Sequence, residues 1–252
     1  LLALSILVPI AHSIRLCRLT AATRLEWLVV AADSMVFVAL VFLVGRWDIA
    51  GHYTRLVLLG LFAAALLWSL RAHRARPWRS SAGMLRRRWS TVLTLPLFSA
   101  ALLHALYGML PPAMSRALAF PLEGGRFMAA QAGGVGLLNH HADHPEQRFA
   151  VDLTAIHPHG WRARGIMPTA LEDYAIFGAA VVSPCAGEVV ATRADLPDLV
   201  PPERDRENAA GNHVVLACDG LTVELAHLGQ GSVAVEAGIA PGHGFPVFDT
   251  RF

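Results

Sequence analysis

Leu25-Glu-Trp-Leu-Val-Val-Ala-Ala-Asp-Ser-Met-Val-Phe-Val-Ala-Leu-Val-Phe-Leu-Val-Gly45 is the stretch that decides the fold class. It holds two acids, Glu26 and Asp33, and no basic side chain. A helix rises about 1.5 Å per residue, so roughly 20 apolar residues are needed to cross a bilayer core. Three further apolar runs surround it, at 1–14, 56–70 and 91–110. The first is short and begins at Leu1 rather than Met, which fits a clipped N-terminus. Residues 1–110 therefore read as a multi-span, four-helix membrane anchor. An acid inside a span costs about 2.5–3.5 kcal/mol on insertion scales, so Asp33 is expected to have a polar partner, with Ser34 or His104 as candidates.

The loops set the expected orientation. The first carries Arg15, Arg18 and Arg24, and the third carries Arg71, Arg74, Arg76, Arg79, Arg86, Arg87 and Arg88. Short Arg-rich loops stay cytoplasmic, so the chain after residue 110 is expected on the outer, periplasmic side of a bacterial inner membrane. The run 71–88 lies between two spans and reads as a topology and lipid-headgroup signal; no nucleic-acid partner is expected. The lipid bilayer is the first expected partner.

Composition agrees. The 252 residues are 54% hydrophobic and 16% charged, with mean hydropathy +0.45. The net charge of +2 conceals two halves. Twelve arginines against Glu26, Asp33 and Asp48 make residues 1–110 strongly basic, and sixteen acids against nine arginines make 111–252 acidic. There is no lysine. That excludes lysine Schiff-base chemistry, lysine-borne cofactors and a Walker A phosphate loop.

From Pro111 onward short β-type runs alternate with turn residues. Residues 111–135 read as a linker with the first strands, and 136–252 as a mainly antiparallel β domain. Val181-Val182 and Val189-Val190 flank Ser183-Pro-Cys-Ala-Gly187 and predict one hairpin. Val214-Val-Leu216 and the run 221–225 flank Cys218-Asp-Gly220 and predict another, since Asp-Gly is a strong hairpin signal. Residues 195–210 read as an acidic, Pro-rich loop, with one helical turn expected near 168–174. Cys185 and Cys218 are expected as buried free thiols, because spacing alone does not bring two Cα atoms together.

Five of the twelve histidines fall at 140, 141, 144, 157 and 159, with Asp143 and Asp152 among them, and His227 follows in Leu225-Ala-His-Leu228. Imidazole with carboxylate is the usual ligand set of a catalytic zinc.

The order of several segments resembles the M23 family of metallopeptidases, the lysostaphin-type peptidoglycan endopeptidases. Gln147-Arg-Phe-Ala-Val-Asp-Leu153 stands where that family has His-x-x-x-Asp. Gly178-Ala-Ala-Val-Val-Ser-Pro-Cys-Ala-Gly-Glu-Val-Val190 is similar to its Pro-Gly hairpin. Gly211-Asn-His-Val-Val-Leu216, Leu225-Ala-His-Leu228 and Ser232-Val-Ala-Val-Glu-Ala-Gly238 follow in the family's order. Residues 137–152 resemble a membrane-anchored subgroup with Asn-His-His and Gln-Arg-Tyr-Ala-x-Asp. The resemblance implies a lysostaphin-type, barrel-sandwich-like β core that uses Zn2+ to hydrolyse peptidoglycan cross-links. It implies Asp152 as a metal ligand and His227 as the catalytic histidine. Arg148 replaces the metal-binding histidine, and a guanidinium does not ligate zinc. His140 or His141 is expected to replace it from a neighbouring strand. The family's terminal His-x-His is missing before Phe252, so the site is expected to be incomplete in this chain or the chain truncated. The alternative is a non-catalytic peptidoglycan-binding module, or one that regulates a cell-wall enzyme partner. In that reading Arg148 pairs with Asp152 in the vacated position.

Overall fold

The computed structural model describes residues 2–78, 83–233 and 244–245. The chain divides into two compact units, Leu1–Pro112 with Ala129–Asp152, and Ala113–Met128 with Leu153–Phe252.

The first unit is built on helices α1 (Leu2–Cys17), α2 (Arg24–Val44), α3 (Trp47–Ala50), α4 (His52–His73), α5 (Met84–Arg87) and α6 (Trp89–Gly108). Helices α2, α4 and α6, of 21, 22 and 20 residues, are long and apolar enough to cross a membrane. Helix α1 is equally apolar in character but has 16 residues, fewer than a span ordinarily needs. Helix α2 starts at Thr23, whose hydroxyl accepts from Glu26 N at 3.2 Å while Glu26 Oε2 accepts from Ala22 N at 3.0 Å. This is close to a capping box. The core between the helices contains Leu16, Trp27, Ala31, Val38, Phe62 and Ala65.

Polar side chains stitch the bundle at defined points. Asp33 is buried, and its partners are Arg15 on α1, in a direct ion pair, and Thr94 on α6, which donates at 2.6 Å. Arg15 also donates to Thr91 at 2.7 Å. The expected partners Ser34 and His104 are not the ones used; an ion supplies the compensation that a buried carboxylate needs, and a neutral hydroxyl supplies the rest. Buried Glu26 receives Arg88 at 2.9 Å and Arg87 at 3.4 Å, joining the first and third loops. His73 accepts from Ala21 N through Nε2 at 3.2 Å and donates through Nδ1 to Ser69 O at 2.7 Å.

The strands are β1 (Leu122–Glu123), β2 (Phe127–Gln131), β3 (Asp152–Ala155), β4 (Ala180–Val182), β5 (Glu188–Arg193), β6 (Asn212–Cys218), β7 (Leu221–Leu228) and β8 (Gly244–Phe245). They form sheets ordered β1-β4-β8, β2-β3 and β5-β6-β7, and no sheet closes on itself among the described residues. The pairings of β4 with β1 and β8, and of β6 with β5 and β7, are antiparallel. The Asp219-Gly220 hairpin forms as expected. Cys218 pairs with Leu221, and both turn residues have positive φ (42° and 78°), as a type I′ turn requires. Strand β6 alternates buried and partly exposed positions over most of its length, and Val214, Leu216 and Cys218 enter a core with Val181 and Leu228.

Two expectations are corrected. Strands β4 and β5 do not pair with each other; residues 183–187 carry the chain from one sheet to another. A Cβ on Gly187 would strike Ala217 O, so only glycine passes so close to β6. Cys185 and Cys218 are not free thiols but form a disulfide, with Cα atoms 5.9 Å apart. The same close passage brings them together. Residues 195–210 form a loop, and the helical turn near 168–174 is a single 3-10 turn, Leu171–Asp173. The alternating run after Ser232 lies largely outside the described residues, as does Arg79.

Candidate metal centre

His140, His141 and Asp152 bring one ligand atom each within 4.8 Å of one another. All three belong to the first unit. Asp152 opens β3. The two histidines open a 3-10 turn, His140–Asp143, rather than a neighbouring strand as expected.

Asn139 shapes this turn. It is 1% exposed, and its side chain reaches three backbone groups. Oδ1 accepts from His141 N at 3.2 Å; Nδ2 donates to Gly133 O at 3.1 Å and to Ala150 O at 2.9 Å. A short amide that caps a turn and ties both flanks is typical Asx chemistry. A Cβ on Gly136 would collide with the Asp143 carboxylate. The preceding Gly133-Gly134 pair lies against the end of α6, where Gly134 N donates to Gly108 O at 2.8 Å.

Two glutamines orient the imidazoles. Gln131 Oε1 accepts both the backbone N–H of His140, at 2.9 Å, and ring Nδ1 of the same residue, at 2.7 Å. A backbone N–H only donates, so this oxygen is an acceptor and Nδ1 carries the proton. The lone pair of His140 is then on Nε2. Gln147 Oε1 faces Nδ1 of His141 at 2.9 Å, and Nε2 of His141 faces Asp152 Oδ1 at 3.0 Å. Asp152 Oδ2 lies 3.9 Å from His140 Nδ1. His141 has two tautomers here: one donates from Nε2 to Asp152, and the other donates from Nδ1 to Gln147 and leaves the Nε2 lone pair facing the carboxylate. In the second tautomer a proton or a cation must lie between the two acceptors. Side-chain exposures of 58%, 17% and 41% for His140, His141 and Asp152 leave the group open on one side. That suits a site with a position for an exchangeable ligand better than a closed structural site.

The donor set, two imidazoles and a carboxylate with both rings held by outer hydrogen bonds, fits a divalent ion of borderline softness. Arg148 is not paired with Asp152, which corrects the ion pair expected in the non-catalytic reading; its guanidinium lies over the Phe149 ring at 5.1 Å. Arg46 was not legible as a neighbour. It grips Asp48 through two hydrogen bonds of 2.9 and 2.7 Å, which hold its pKa above the ordinary value, and the Asp152 charge adds to that shift. Gln147 and Asn139 stood in plain view inside the quoted segments, whereas nothing in the sequence marked Gln131.

His227 belongs to the second unit, on β7. Opposite it the β6–β7 register shifts between Asn212↔Leu228 and Val214↔Leu225, and His227 takes φ 62°. This is a bulge, a feature that redirects side chains. His157 is also in that unit, with Nε2 on Asp173 O at 3.0 Å.

The chain matches no protein-family model, no curated protein and no solved structure.

Proposed function

We propose that this chain is a membrane-tethered, M23-like zinc hydrolase domain acting on peptide cross-links of peptidoglycan. The observation that carries the reading is the His140–His141–Asp152 group with both imidazoles oriented by glutamine. His140, His141 and Asp152 would hold the ion, whose bound form supplies Lewis acidity toward a scissile carbonyl and a nucleophile at neutral pH. Asp152 brings the negative charge that offsets the cation. Gln131 and Gln147 keep the ring protons on Nδ1 and so leave each Nε2 as the donor. His227, to which the resemblance gives the proton-handling role, stands on a bulge that fixes its backbone. The lysostaphin-type core and the outward orientation of the second unit belong to this same proposal.

The test is zinc content and muropeptide release by the full chain in detergent. Wild type is expected to bind zinc stoichiometrically and to release muropeptides. D152A loses both, while H227A keeps its zinc and loses cleavage. A chain without zinc that still binds peptidoglycan would instead establish the non-catalytic, wall-binding module.

A further inference from the structure

Helices α1 and α4 enclose a groove of about 570 Å3 in the first unit. Ile10, Leu58 and Leu61 line one end, and Cys17, Arg18 and Trp68 line the other. The Arg18 end is the one where Ala21 meets His73, beside the two Arg-rich loops. The wall is almost entirely apolar. Water gains too few hydrogen bonds there to fill it, and a void would forfeit dispersion contacts along its whole length. In a bilayer the available filler is an acyl chain.

Arg18 adds a preference. Its neighbours are engaged: Arg15 with Asp33 and Thr91, Arg24 with Arg76 O, and Arg87 and Arg88 with Glu26. Arg18 is exposed, and its side chain has no hydrogen bond or ion pair among the described residues. A guanidinium at the mouth of an apolar groove matches a phosphate whose tails run along that groove. Trp68, 65% exposed at the same end, is the residue type that settles at headgroup level.

We propose that this groove holds an anionic phospholipid of the leaflet on the side of the Arg-rich loops, with a chain between α1 and α4 and its phosphate on Arg18. The proposal is independent of the metal centre.

The test is native mass spectrometry of the full chain in detergent, titrated with phosphatidylglycerol or phosphatidylcholine. One surface cation contributes a preference of about fivefold, so wild type is expected to retain phosphatidylglycerol by about that factor. R18Q falls to parity and R18K keeps the preference. Ala64 lines the groove and is exposed, so A64W is expected to fill it and to lose both lipids with helical circular dichroism unchanged. Equal retention of the two lipids by wild type overturns the proposal. So does selectivity surviving in R18Q, lipid retained by A64W, or displacement of the lipid by inorganic phosphate alone.

Discussion

His141 faces an acceptor at each ring nitrogen, and that decides what its neighbours do. In the proposed site Gln147 holds the ring proton on Nδ1, which leaves Nε2 as the ligand atom. Loss of such an outer partner lowers metal affinity by about 10–100-fold. On the proposed zinc reading, Q147L is expected to weaken binding by that factor in competition with a chromogenic chelator. Q147E, which keeps an acceptor at the same place, stays near wild type. Equal affinities for Q147L and wild type would remove Gln147 from the site. Asp33 poses the opposite problem, a charge already satisfied. Asp33→Asn leaves Arg15 without its counter-ion, and breaking one side of a buried pair costs about 3 kcal/mol. The double variant R15Q/D33N removes both charges and is expected to recover part of that loss in thermal unfolding, because the two positions couple. The carboxylate in the long apolar run was legible as a group needing compensation. Its partner was not, because Arg15 sits near the end of another helix and only packing brings α1 against α2.

At the scale of elements, local signals carried well and long-range pairing did not. The long apolar runs became α2, α4 and α6, with α4 extending past its run 56–70 at both ends, since backbone satisfaction in an apolar setting leaves no alternative to helix. The Asp219-Gly220 hairpin followed from turn chemistry. The segment 183–187 looked the same to a local reading, two valine pairs around Pro and Gly, yet β4 pairs with β1 and β8 while β5 pairs with β6. Which edge a strand finds depends on Leu122 and Ala217, far along the chain. The disulfide escaped for the same reason. It spans 33 residues, and closing such a loop stabilises the folded state by about 3–4 kcal/mol in the chain-entropy account. The variant C185S/C218S is expected to unfold at lower denaturant concentration by that amount, measured on the full chain. Reducing agent should reproduce the shift in wild type and leave the variant unmoved.

For the whole molecule the two charge halves of the sequence proved to be only an approximate map. The segment 129–152, which carries every residue of the metal group, belongs to the same compact unit as the helices. Its platform is the end of α6. Gly134 N bonds Gly108 O, and Val135 occupies the space where Gly108 would carry a side chain. Asn139 then hands that position on, through Gly133 O and Ala150 O, to the turn bearing both histidines. The end of α6 thus helps to shape the candidate site. Any side chain at Gly108 must displace Val135, and the displacement passes to His140 and His141 through this chain of contacts. On the proposed zinc reading, Gly108→Val is accordingly expected to lower affinity by at least about tenfold, because a metal site tolerates little loosening of its supports. Helical circular dichroism should stay unchanged, since residue 108 ends its helix. Unaltered zinc affinity in a folded Gly108→Val chain would mean that the turn keeps its shape without the helix end beneath it.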